Sequence, residues 1–156
     1  MIESLKALLE DWKETRSITL GFLNELSDTD LDKRLPRKQL NTIRLQAHEL
    51  TLFQRDVVNS LGTSALAYEE EYIYVNMPTQ DIIEKMAELD ERFEKALESL
   101  SGTEMMEYYG QQRNVHQIIS MMIGHECMHI GQIIAFCYAV GIEIPASIVE
   151  PMALEG

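Results

Sequence analysis

Two histidines four residues apart, His125 and His129, stand in the run His125-Glu126-Cys127-Met128-His129-Ile130-Gly131-Gln132-Ile133. On an α-helix this spacing puts both imidazoles on one face, about 40° apart round the axis and about 6 Å along it. Two rings so placed can grip one metal ion, and the residues around them are too apolar for a solvent-facing pair. Leaving either ring unpaired in a core would cost roughly 1–3 kcal/mol, and metal ligation satisfies both at once. His48, in another amphipathic segment, can supply a third ligand from a neighbouring helix. Three neutral imidazoles without a fourth protein ligand describe an open, reactive metal site rather than a closed structural one.

Other residues near these three are weaker candidates. Glu126 completes the string H-E-x-x-H, in which two histidines hold zinc and the glutamate acts as a base. The longer H-x-x-G-x-x-H pattern fails, because Gln132 and Ala135 occupy the positions three and six beyond His129. A di-iron carboxylate bundle would need two E-x-x-H motifs, and only Glu126 to His129 fits. Glu126 is about 100° round the helix from His125, a position from which it can pair with a neighbouring helix. Gln132 shares the histidine face and could orient a ligand, contact a substrate or simply cap a cavity. Arg44, Thr51 and Arg55 share the face of His48 and read as surface groups flanking the bundle. His116 falls on the opposite side of its helix and reads as structural. Cys127 projects about 160–200° away from the pair, and Met121, Met122 and Met128 read as adaptable core filler.

Four amphipathic segments must position these groups. Leu5, Leu8, Leu9, Trp12, Thr19, Phe22, Leu23 and Leu26 recur at spacings of three and four, which predicts a helix over 2–27. The stretch 27–37, with Asp28, Asp30 and Pro36, breaks it. Asn41 is the expected N-cap of a second helix, ended by Gly62. Residues 63–77 form a long connection, whose Tyr68, Tyr72, Ile73 and Tyr74 suggest a packed loop or helical turn. Pro78 and Thr79 open a third helix that closes at Ser101-Gly102, with Asp81 favouring its dipole. The fourth, over about 114–140, is apolar nearly all round and therefore central in its bundle or at a subunit contact. Gly141 is its natural C-cap, and Pro145 prevents resumption. No strand alternation is visible. The expected architecture is all-α, a four-helix bundle in one domain spanning 1–156, and the long connection allows a topology other than simple up-down-up-down.

Composition narrows the function. The 156 residues carry 26 acidic and 13 basic side chains, a net charge of −13. Such a surface repels phosphate backbones and anionic membranes, so no nucleic-acid or membrane partner is expected. The start of the chain lacks the apolar centre of a signal peptide, and the longest apolar stretch, 133–140, is far short of a membrane span. Cys127 and Cys137, about 15 Å apart on one helix, cannot pair within the chain, which points to the cytoplasm.

These features together resemble the DinB-like family of metal-binding four-helix bundles, which includes the YfiT-type metal-dependent hydrolases. His48, His125-x-x-x-His129, Ile130-Gly131-Gln132-Ile133 and Gly141-Ile142-Glu143-Ile144-Pro145 carry the resemblance, which covers essentially the whole chain. It implies that His48, His125 and His129 ligate a divalent metal, commonly zinc or nickel, and that the chain forms a homodimer. Some relatives are transferases or isomerases that use low-molecular-weight thiols such as bacillithiol or mycothiol. The expected function is therefore metal-dependent transfer of a thiol to a small electrophile, an S-transferase-like reaction. The alternatives are a hydrolase using metal-activated water, with Glu126 as base, and a non-enzymatic metal-binding stress-response dimer.

Overall fold

The computed structural model of the chain describes residues 1–34, 41–68 and 77–154. Four long helices dominate it: α1 (Glu3–Glu25), α3 (Ile43–Ser60), α4 (Thr79–Glu98) and α5 (Val115–Val140). The short helices α2 (Asp28–Leu31) and α6 (Ala146–Val149) follow α1 and α5, and two strands, β1 (Met105–Tyr108) and β2 (Gln111–Asn114), lie between α4 and α5. Tyr72, Ile73 and Tyr74, expected in the long connection, lie outside the described residues, as does Pro36; Tyr68 is exposed.

The helix ends follow local chemistry. Asn114 accepts from the Gln117 amide while the Gln117 side chain accepts from the Asn114 amide, a reciprocal cap that fixes the start of α5. Gly141 ends it in the left-handed region at φ 68°, where a residue without Cβ is unstrained. The N-cap of α3 is Thr42 rather than Asn41. Thr42, itself buried, directly precedes the first helical residue, Ile43, and its hydroxyl accepts from the Leu45 amide at 3.1 Å.

The bundle is all-α as expected, and the segment before α5 adds a short hairpin where no strand was expected. β1 and β2 pair antiparallel with Met106 opposite Arg113 and Tyr108 opposite Gln111. Tyr109 and Gly110 turn the chain at φ 48° and 74°, the two positive values that a tight hairpin needs. Met106 is fully buried, so the hairpin plugs one end of the helical core.

Two apolar clusters reveal the topology. One gathers Leu5 and Trp12 of α1, Val57 of α3, Phe93 and Leu97 of α4, and Val115 and Ile118 of α5. The other gathers Phe22 of α1, Ile43 and Leu50 of α3, Met86 of α4, and Ile130 and Ile133 of α5. Hence α1 and α5 run from the first cluster to the second, while α3 and α4 run the opposite way. Helix α1 packs on α5 and α4, and α3 packs on those same two, so the consecutive long helices α1 and α3 stand diagonally across the bundle. The order is up-down-down-up. Because α3 and α4 are parallel, the end of α3 and the start of α4 lie at opposite ends of the bundle.

Between the clusters lies a polar layer: Arg16, Gln54, Asp90 and Glu126, one from each long helix. Helix α5 is long and apolar enough to cross a membrane by length and composition, contrary to the reading of residues 133–140 alone. In the fold it is a bundle member, with Glu126 and His129 buried against its neighbours. Its outer face, including Gly124, Cys127, Met128 and Gly131, is exposed and uncharged.

Candidate metal centre

Helix α5 turns His125 and His129 toward α3. Their ring centroids are 4.7 Å apart and nearly perpendicular. From α3, Gln46, Glu49 and Phe53 meet them, residues spaced three and four apart and so on one helix face. Phe53 packs on the His125 ring at 4.5 Å between centroids. Donor atoms of Glu49, His125 and His129 all lie within 4.8 Å of one another, close enough for one cation to touch all three.

The hydrogen bonding of this cluster is incomplete. The Nδ1 of His125 and the Nε2 of His129 are buried and have no hydrogen-bond partner among the described residues. The Glu49 Oε1 is 3.9 Å from His129 Nε2, too far for a hydrogen bond. Gln46 Oε1 stands 3.4 Å from His129 Nδ1. A proton on Nδ1 serves that contact and leaves the Nε2 lone pair available to a metal. Burial lowers the pKa of both histidines; the neighbouring His129 lowers that of His125 further, and Glu49 opposes it. Both rings are therefore biased toward the neutral form that ligates metal.

Two imidazole nitrogens and a carboxylate oxygen suit a divalent transition metal, and three protein donors leave coordination positions open. The group fits a divalent cation. Glu49 was not singled out in the sequence, where the adjacent His48 is chemically the more conspicuous donor. His48 is buried on α3 beside Glu49 and does not join the 4.8 Å group. Burial lowers its pKa, and the positive charge of Arg55 lowers it further.

Glu126 is engaged elsewhere. It is 1% exposed, accepts from Thr19 Oγ1 at 2.6 Å and pairs with Arg16 Nη2 at 3.1 Å. It faces α1, not the histidine pair, which removes it from the base role suggested by H-E-x-x-H. The residues sharing the His48 face are not surface groups: Thr51 and Arg55 are buried, Arg55 pairs with Asp56 at 2.8 Å, and half-buried Arg44 binds Asp28 and Asp32. His116 hydrogen-bonds Ser4 near the start of α1, in keeping with a structural role. Gln132 is exposed, Cys127 is an exposed free thiol and Cys137 a buried one.

The family model of the DinB superfamily matches residues 11–133, a span that holds His48, Glu49, His125 and His129. The chain belongs to the DinB superfamily. Its fold is similar to the 2.01 Å crystal structure of a DinB-like protein from Bacillus cereus ATCC 10987. The TM-score is 0.72 at 20% identity, over 90% of this chain and 95% of that one. At that identity the likeness establishes the fold of this DinB-superfamily chain and not its chemistry. No curated protein matches the chain.

Proposed function

We propose that this DinB-superfamily chain is a metal-dependent enzyme that transfers a low-molecular-weight thiol to a small electrophile. The observation that carries the reading is the pair of buried nitrogens on His125 and His129, without hydrogen-bond partners among the described residues and gathered with Glu49. Unmet polar groups of this kind cost about 1–3 kcal/mol each, and a shared cation relieves both. His125 and His129 are two donors, and α3 supplies the third from Glu49 or from His48 beside it.

Zinc or nickel bound there would supply a Lewis acid that keeps a thiol deprotonated at neutral pH. The thiol proton passes to solvent, the sulfur forms a bond to the electrophilic carbon, and the leaving group departs with its bonding pair. Phe53 shields one side of His125 from water. The hydrolytic alternative loses its base, since Glu126 is held by Arg16 and Thr19.

The test begins with elemental analysis of chain purified without added metal or an affinity tag, beside His125→Ala/His129→Ala. About one transition metal per chain, absent from the variant, is expected, followed by metal-dependent loss of thiol against a panel of electrophiles. A native chain that neither contains nor takes up zinc or nickel removes the metal reading. Metal-loaded chain without thiol-dependent turnover removes the transferase reading alone.

A further inference from the structure

Arg16 occupies the middle of the bundle and touches both helices of the candidate metal centre. Its guanidinium donates to Gln54 Oε1 of α3 at 2.9 Å and pairs with Glu126 Oε2 of α5 at 3.1 Å. Gln54 lies five residues beyond Glu49, and Glu126 lies between His125 and His129. The bridge Gln54–Arg16–Glu126 therefore joins the two ligand-bearing helices beside the ligands themselves.

Arg16 is itself held on several sides. It lies over the Trp12 ring at 4.6 Å; the Trp12 indole donates to Asp90 at 3.0 Å, and Gln54 donates to the same carboxylate oxygen at 2.6 Å. Stability alone is a poor reason for this layer, because well-packed apolar residues often replace a buried ion pair at no cost. The layer also leaves Arg16 Nε and Nη1 buried without hydrogen-bond partners among the described residues, a further expense for the fold. Geometry is the better reason. Each residue turns a helix by about 100°, so drawing Glu126 toward α1 rotates its neighbour His125, and with it His129, toward α3.

We infer that Arg16 is a positioning residue of the metal centre, setting the spacing and rotation at which α5 presents His125 and His129 to Glu49. The inference rests on the metal reading above. Cobalt(II) is the probe, because its visible absorption reports ligand geometry as well as occupancy. Arg16→Met/Glu126→Met removes both members of the buried pair and leaves Asp90, 3.8 Å from Arg16 Nε in the native chain, with its Trp12 and Gln54 donors. Gln54→Met cuts the arm to α3 together with its bond to Asp90. Leu97→Ala, a buried core position of α4 with no part in the bridge, is the control for lost stability. All are checked for folding by circular dichroism and thermal melting.

The expected result is cobalt affinity weakened about tenfold or more in the first two variants, with displaced visible bands, and little change in Leu97→Ala. Native affinity and spectrum in folded Gln54→Met and Arg16→Met/Glu126→Met overturn the inference. Should the double variant not fold, Gln54→Met decides alone. Failure of the metal reading looks different: the native chain then binds cobalt no better than His125→Ala/His129→Ala, and the positioning role falls with it.

Discussion

The Nδ1 of His129 lies 3.4 Å from the Oε1 of Gln46, across the contact between α5 and α3. A carbonyl oxygen can only accept, so the ring is protonated on Nδ1 wherever this contact forms, and Nε2 is left as the lone-pair atom. Partners of this kind orient a ligand and raise its basicity. Gln46→Met, similar in volume, is expected to weaken zinc binding about 10–100-fold in competition with a chromophoric chelator. Gln46→Glu should restore it, since a carboxylate accepts the same proton. Equal affinity in all three chains would mean that another group sets the tautomer.

Glu49 and His48 compete for the third position. The geometry favours Glu49, whose carboxylate joins both histidines within 4.8 Å. Glu49→Ala should therefore lose more metal affinity by titration calorimetry than Gln46→Met does. His48→Ala should chiefly lower stability, because His48 is buried. The opposite ranking, with His48→Ala abolishing binding and Glu49→Ala sparing it, would transfer the third ligand to His48.

Most of the fold was legible because four long segments repeat apolar residues at helical spacing; the long connection allowed a topology other than up-down-up-down without specifying it. The hairpin was not. Its strands are four residues each, too short for alternation to register, and its turn opens on Tyr109 rather than on asparagine or glycine. The histidine pair was legible from spacing on an apolar helix. Glu49 was not, because an exposed glutamate on an acidic chain carries no signal until the facing helix is known. Gln46, Glu49 and Phe53 do share one face of α3, but only the packing of α5 shows that this face matters. Pairing of Glu126 with a neighbouring helix was legible from its offset of about 100° from His125, although neither α1 nor Arg16 could be read from spacing.

Glu104 gives the loop between α4 and β1 a defined acid dependence. Its carboxylate accepts from the Ser101 amide and hydroxyl, each at 2.7 Å, and from the Gly102 amide at 2.8 Å. These bonds hold its pKa down to about 2, from an ordinary value of 4.5. A depressed folded-state value means that the stabilisation is complete above the unfolded value and lost as pH falls toward about 2. Glu104→Gln should thus lower the urea midpoint at pH 7, and the two chains should converge as the pH approaches the folded value. A gap that persists undiminished in acid would assign the effect to packing rather than to charge.

The unpartnered nitrogens of His125 and His129 make the two metal states respond oppositely to one substitution. Without metal, each buried nitrogen costs the fold about 1–3 kcal/mol, and leucine at both positions removes that cost while keeping apolar volume. In chelator, His125→Leu/His129→Leu should melt at or above the native temperature. Zinc at about a hundred times its dissociation constant adds about 2.7 kcal/mol to the native chain, a rise of about 5–10 °C for a domain of this size. The variant has no nitrogens to offer there and should show no rise. The order of the two melting temperatures should therefore reverse between chelator and zinc. If both chains rise equally with zinc, the cation binds elsewhere, on the acidic surface. If neither rises, the two histidines belong to the core.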